Sequence, residues 1–125
     1  CIDTTMGFTA LEGLVMATRS GSVDPGLLLK LMREGYDAET MADILQKESG
    51  LKGLSGLSGD MRELRTAASN GHNGAIRALN VFRHRLIQLV GAMAASLRGV
   101  DVLALTGGIG EHDHQLQDEL KQALS

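Results

Sequence analysis

The sequence predicts a helix-rich α/β fold with few strands, and two features of its 125 residues lead to that prediction. The apolar residues are mainly Leu, Met, Ile, Val and Ala, since only 2% of the chain is aromatic. Such side chains favour helices, whereas pleated sheets prefer β-branched and aromatic residues. One short apolar run, residues 100–105, precedes a glycine-rich turn and predicts the one convincing strand. Because a buried strand needs neighbours to pair its backbone groups, we expect the partner strands to lie outside these residues.

Length and charge point to a single domain and exclude several classes of partner. The net charge of −3 comes from 15 acidic and 12 basic residues, without the basic stripe that binds nucleic acid. No apolar run reaches the roughly 18 residues of a membrane span, so no membrane is expected. The single cysteine, Cys1, allows no internal disulfide and fits a reducing compartment. We therefore predict a cytoplasmic protein, and the start at Cys1 without Met suggests a partial sequence.

Short helices are predicted along the first half of the chain. After an extended segment at residues 1–8, apolar residues recur at helical spacing through residues 9–18. Asp24 and Pro25 then form a typical helix start, with Asp as N-cap and Pro at the first helical position. Gly35 is the predicted end of this helix.

The middle of the chain is predicted as helix, loop and helix. Asp37 is placed to cap a helix that stops at Gly50. Residues 50–59 are rich in Gly and Ser, and we interpret them as an ordered loop pinned by Leu51, Leu54 and Leu57. Asp60 and Glu63 resemble a capping box that opens the following helix, which runs to about Ser69.

The longest predicted helix covers residues 73–97, where apolar residues recur at three- and four-residue steps. Its second half contains small residues that permit close helix packing. This half is therefore expected to pack either in the domain's own core or against a partner. The strand at residues 100–105 follows, then the glycine turn at residues 107–110. A final helix is predicted from Glu111 onward.

The strand, glycine turn and helix at residues 100–122 give the strongest chemical signal. Glycines leave backbone N–H groups unshielded, so an anion or a nucleotide could approach them closely. The turn matches neither a Walker A loop nor a dinucleotide fingerprint. A plain tight turn between strand and helix is an equally good interpretation of these residues alone.

Charged residues at two helix boundaries are the other candidates. Arg19 lies in a break after a predicted helix, where a guanidinium could hold phosphate or carboxylate. Asp60 and Arg62 flank a helix start. Solvated loop and cap residues are the alternative interpretation for all three. His112 and His114 lack further ligands nearby, so we predict a solvated helix start and no metal site there.

Four blocks, taken together, resemble the acetate (or propionate) kinase family. Residues 3–14 (DTTMGFTALEGL) are similar to its DTSMGFTPLEGL, and residues 18–25 (TRSGSVDP) to its TRSGD[IV]DP. Residues 49–56 (SGLKGLSG), with DMR at 60–62, match a third block, and residues 106–111 (TGGIGE) match a fourth. The blocks keep the family's order and spacing, so the resemblance covers the whole chain.

The resemblance implies a ribonuclease-H-like fold of the actin, hexokinase and sugar-kinase superfamily. Residues 1–125 would then be part of the C-terminal nucleotide-binding domain, without the N-terminal domain. It also implies transfer of a phosphoryl group from ATP to acetate, with Mg²⁺, in a homodimer. Arg19 corresponds to the arginine that stabilises the phosphoryl group in transit. The nucleotide-binding positions would be Asp60, Met61, Arg62, Gly107, Gly108, Ile109, Glu111 and His112.

Departures from the family pattern temper these expectations. The family turn continues with Asn where this chain has His112, so a side-chain amide contact is not expected. The chain lacks the active-site groups of the N-terminal domain. It also lacks a phosphate loop expected before Cys1 and a Glu expected after Ser125. We therefore expect the 125 residues to be inactive alone. Propionate as the acceptor, or a role as a dimerisation module, are the alternatives.

Overall fold

The computed structural model describes residues 1–124, and helices are the only regular elements of this part of the chain. A π-helical segment, Ile44–Glu48, follows the second α-helix. The α-helices are α1 (Pro25–Arg33), α2 (Ala38–Asp43), α3 (Gly50–Ser55), α4 (Met61–Ser69), α5 (Asn73–Leu97), α6 (Gly107–His112) and α7 (His114–Leu124).

Aspartates begin three of these helices, as the sequence predicts. Asp24 Oδ1 accepts a hydrogen bond from the Gly26 N–H at 2.7 Å, with Pro25 at the first position of α1. Asp37 caps α2 through Thr40, and Asp60 caps α4 through Arg62, both at 2.8 Å. Each carboxylate satisfies an N–H group that has no partner inside its helix.

Helix α5 is the centre of the fold and packs against α3, α4 and α7. Its buried residues, Gly74, Ala75, Ala78 and Phe82, all lie in its first half. The core around them consists of buried apolar side chains from α3, α4, α7 and the N-terminal loop: Leu51, Met61, Leu64, Leu116 and Val15. The long helix thereby fixes α4 and α7 relative to each other.

The helix predicted at residues 9–18 is absent, and this part of the prediction was wrong. Instead, the Gly13 N–H donates a hydrogen bond to the Ser22 hydroxyl, and the Ser22 N–H donates one to the Gly13 carbonyl oxygen. These two bonds close a loop over residues 13–22. Met16 and Ala17 accept hydrogen bonds from Leu51 and Lys52 at 2.9 and 3.0 Å. Tertiary backbone bonds thus replace the bonds that a local helix would have made.

Residues 50–55, predicted as a loop, form α3. Leu51 is fully buried and Leu54 packs against the core, but Leu57 is exposed. The spacing of three that suggested a pinned loop places Leu51 and Leu54 on one helix face. Leu57 lies beyond Gly56, whose left-handed backbone (φ 65°) ends the helix.

The strand predicted at residues 100–105 does not form within the described part of the chain. Val102 is 82% exposed, and no neighbouring strand is present among residues 1–124 to pair with it. The glycine turn is itself helical, since α6 begins at Gly107. The final helix therefore starts at His114, three residues later than predicted.

Candidate functional site

A cleft of about 690 Å³ lies between the start of α4 and the α6–α7 junction. Two segments about 45 residues apart in sequence meet there, namely the DMR block and the glycine turn. The cleft is lined by Gly59, Asp60, Met61, Arg62, Arg65, Gly108, Ile109, His112, Asp113, His114 and Gln115. Six of the eight predicted nucleotide-binding residues thus line one concave surface.

Asp60 and Arg62 form a bidentate ion pair at one wall of the cleft. The Arg62 Nη2 donates to Asp60 Oδ2 at 2.8 Å, and Nε donates to Oδ1 at 3.2 Å. These bonds, with the Arg62 backbone N–H, lower the pKa of Asp60 from 3.8 to about 2. The carboxylate stays ionised at neutral pH and orients a guanidinium that is otherwise 91% exposed.

Met61 and Ile109 give the cleft its apolar surface. Met61 is buried in the core and Ile109 is partly exposed on the opposite wall. A Cβ added at Gly108 would meet no atom within 4 Å, so the backbone of this residue faces open space. The cleft therefore combines apolar side chains, an open backbone surface and the fixed Asp60–Arg62 ion pair.

The remaining two predicted residues, Gly107 and Glu111, shape α6 and do not line the cleft. Gly107 has a backbone φ of 75°, which favours glycine. Its N–H donates to Glu111 Oε1 at 3.1 Å. Glu111 thus occupies a donor at the start of α6, and no ligand contact is observed for either residue.

Sequence reasoning missed a second ion pair in the cleft, between Arg65 and Asp113. Arg65 Nε donates to Asp113 Oδ2 at 3.2 Å, and Nη2 lies 3.2 and 3.1 Å from Oδ1 and Oδ2. Asp113 Oδ1 also caps α7 by accepting from the Leu116 N–H at 3.0 Å. The helix start predicted here is confirmed, but the prediction that it is solvated was wrong for Asp113, whose side chain is 11% exposed. No sequence pattern indicates a partner 48 residues away.

Arg19 lies outside this cleft, on the loop that replaces the predicted helix. Its side chain is exposed and forms no ion pair within residues 1–124. The same loop approaches the cleft, because a Cβ on Gly59 would lie 2.7 Å from the Ala17 carbonyl oxygen. The loop of Arg19 is therefore fixed against the residue that begins the DMR wall.

Residues 1–124 offer neither a cluster of metal ligands nor a membrane-spanning helix. No group of three or more His, Cys, Asp or Glu side chains in residues 1–124 is placed to hold a metal ion. None of the helices in this range has the length and apolar character required to cross a bilayer.

The chain is similar in sequence and in fold to acetate and propionate kinases. A family model described as the acetokinase family matches residues 1–125. An acetate kinase from Acaryochloris marina is 53% identical over 124 residues, which are 99% of this chain and 31% of that protein. The crystal structure of Porphyromonas gingivalis acetate kinase superposes with a TM-score of 0.89 at 44% identity, covering 93% of this chain and 29% of that one. A propionate kinase from Francisella tularensis subsp. tularensis gives a TM-score of 0.91 at 36% identity, covering 98% and 32%.

The fold is therefore that of the acetate and propionate kinases, as the sequence predicts, and residues 1–124 represent it by helices alone. The chain belongs to the acetokinase family. It spans about a third of the length of the curated relatives that it matches.

Proposed function

We propose that residues 1–125 are part of the C-terminal nucleotide-binding domain of a kinase that forms acetyl phosphate and ADP from acetate and ATP. The observation that carries this proposal is the convergence of the DMR block and the glycine turn on one cleft. Family membership and about 50% identity to acetate kinases support the choice of reaction. A small-carboxylate kinase that uses ATP fits a cytoplasmic location, where ATP is abundant.

The cleft has the size and chemistry for the adenosine part of a nucleotide. Ligand pockets of roughly 300–1,000 Å³ are usual, and most are apolar with a few fixed polar groups. Ile109 and Met61 would contact the base, and the planar Arg62 guanidinium could stack on it. Asp60 holds that guanidinium in place through both carboxylate oxygens, so its main contribution is to orient Arg62.

Arg19 would act on the phosphoryl group in transit rather than on the adenosine. Phosphoryl transfer is catalysed mainly by positioning and by neutralising charge on the equatorial oxygens. An exposed guanidinium with no ion pair among the described residues is free for that task. Its loop is fixed next to the cleft through Ala17 and Gly59.

Mg²⁺ belongs to the proposed reaction, but the described residues provide no site that fits it. They contain no group of three or more possible ligands, so we assign no residue to this ion. Because the chain covers about a third of its relatives' length, we propose that the remaining catalytic groups lie in the other part of the whole enzyme. Residues 1–125 alone are then expected to bind nucleotide without turnover.

Acetate is the proposed acceptor, and propionate is the alternative. One methylene changes the binding free energy by only about 1–3 kcal/mol, so close relatives can differ in acceptor. A propionate kinase shares the fold at 36% identity, while acetate kinases range from 33% identity for the Entamoeba histolytica structure to 53% for the Acaryochloris marina relative. The relatives with the higher identities in this range are acetate kinases, which favours acetate.

A second proposed role, homodimer formation, is favoured by the second half of α5. Residues 83–97 contain several apolar side chains, but none of them is buried. A second copy of the chain or another part of a longer protein could cover them. Sedimentation at several concentrations separates these possibilities, since only self-association makes the mass depend on concentration.

The nucleotide proposal is tested by titrating the chain with Mg·ADP and following amide NMR shifts. Saturable shifts at Asp60, Gly108, Ile109 and His112 are expected. Asp60→Ala should weaken binding about tenfold because Arg62 loses its charged partner.

Asp24→Ala is the matched control. Both aspartates cap a helix, so each substitution removes one cap, but Asp24 caps α1 and does not line the cleft. Equal loss of ADP affinity in the two variants, or a wild-type spectrum without shifts at the cleft, would refute the proposal.

A further inference from the structure

The Arg65–Asp113 pair joins two helices that otherwise share little contact. The helices in extensive contact are α4 with α5, α3 with α5, α5 with α7 and α6 with α7. Helix α4 carries one wall of the cleft, and α6 carries the other. The direct bridge between these walls is the guanidinium of Arg65 on the carboxylate of Asp113.

This bridge and the adjoining Arg65–Glu119 pair are protected from solvent far more than the other ion pairs within residues 1–124. The side chains of Arg65 and Asp113 are only 23% and 11% exposed, and Glu119, 22% exposed, lies 3.8 Å from Arg65 Nη1. By contrast, the Lys121–Asp118 pair on α7 is more than 70% exposed on both sides. Exposed pairs contribute little, whereas breaking a desolvated pair leaves an unpaired charge behind.

Asp113 contacts three partners that together fix the position of α6: Arg65, Leu116 and Ile109. Its carboxylate holds Arg65 and caps α7, and its backbone N–H donates to the Ile109 carbonyl at 3.0 Å. Ile109 is the apolar side chain of the α6 wall. Any shift of Asp113 therefore moves Ile109 relative to Asp60 and Arg62.

We propose that Arg65 and Asp113 are positioning residues that set the width of the cleft by tying α4 to the α6–α7 junction. This inference rests on the proposed nucleotide site for its consequence, because cleft width decides whether a base can contact both walls. Misplacement of a binding group by about 1 Å can cost a large factor in function. Neither residue needs to touch the nucleotide.

The test uses three substitutions in the full chain. Asp113→Asn removes the charge but keeps a side chain that can cap α7. Arg65→Lys keeps the charge but loses the bidentate geometry. Arg65→Met removes the charge with a similar aliphatic stem. Asp118→Asn on α7 is the matched control, since it breaks an exposed pair on the same helix.

Two measurements are made on each variant: hydrogen exchange of individual amides without ligand, and the Kd for Mg·ADP. We expect the hydrogen-bonded amides of residues 110–113 to exchange about tenfold faster in Asp113→Asn and Arg65→Met, while amides in α3 and the first half of α5 keep their protection. The Kd should rise about tenfold, with Arg65→Lys between wild type and Arg65→Met. The double variant Arg65→Met/Asp113→Asn should be no worse than Arg65→Met, because Arg65→Met already removes the bridge that Asp113→Asn weakens.

Three other outcomes of these measurements would be interpreted differently. Unchanged exchange at residues 110–113 in both charge-removing variants overturns the inference. Faster exchange throughout α3 and α5 also overturns it, because the pair would then support the whole fold and not the cleft. If wild type fails to bind ADP, the proposed function fails, while the exchange data still decide whether the pair positions α6.

Discussion

At the level of single residues, Asp60 has two structural roles: it caps α4 and it orients the side chain of Arg62. The hydrogen bond from the Arg62 side chain is the main reason why its pKa falls to about 2. The pKa is lower in the folded chain than the usual 3.8, so the pair stabilises the fold above about pH 4. That contribution is lost as the pH falls through about 2.

Arg62→Met should raise the pKa of Asp60 toward 3.8, and ¹³C NMR of the side-chain carboxyl measures it. The increase should be incomplete, because backbone N–H groups of residues 62 and 63 still favour the charged form. Asp37 is the internal control. Its pKa is lowered by Thr40, so it should titrate identically in both proteins, and an unchanged Asp60 would contradict the assigned cause.

At the level of elements, the two halves of α5 lie in different environments. Its first half is buried against α3 and α4, and Gly74 there approaches the backbone of the α3 end. A Cβ at Gly74 would overlap with the Ser55 carbonyl oxygen, whereas one at Gly91 would meet nothing within 4 Å. Two glycines in the same helix are therefore present for different reasons.

Gly74→Ala and Gly91→Ala should change stability in opposite directions. Gly74→Ala forces α3 and α5 apart and should cost about 1–3 kcal/mol of unfolding free energy. Gly91→Ala removes the backbone entropy penalty of a helical glycine and should add about 0.5–1 kcal/mol. Urea denaturation followed by circular dichroism measures both, and a stabilising Gly74→Ala would show that the close approach to Ser55 is not maintained.

The elements that sequence reasoning predicted correctly are those with local signals. Asp24, Asp37 and Asp60 cap helices through their own neighbours, so their positions are visible in the sequence. The prediction of a helix at residues 9–18 was wrong because the carbonyl groups of Met16 and Ala17 accept hydrogen bonds from α3. The strand at residues 100–105 failed because strand formation needs a partner, which residues 1–124 do not contain.

At the level of the whole molecule, this chain supplies one part of the proposed active site. Six of the eight residues predicted to bind nucleotide line the cleft. Gly107 and Glu111 bond each other instead. Arg19 has no ion-pair partner within residues 1–124, so its proposed role depends on a phosphoryl group and on groups from the rest of the enzyme.

Arg19→Ala, made in the whole enzyme that carries this segment, should lower kcat by about 100-fold or more. The KM for acetate should change little, because the lost interaction belongs to the transition state. Steady-state kinetics of acetyl phosphate formation measures both quantities. Arg33→Ala on the exposed end of α1 is the control, and an unchanged kcat in Arg19→Ala would refute the catalytic role.

The sequence by itself determined the family, the helix caps and the set of candidate nucleotide-binding residues. These follow from local hydrogen bonding and from motifs that can be recognised in order along the chain. Only the tertiary structure decided which candidates meet, because α5 brings α4 and α7 together through apolar packing that no short motif records. The Arg65–Asp113 bridge has the same origin, since two residues 48 positions apart become a partly buried pair only after these helices pack.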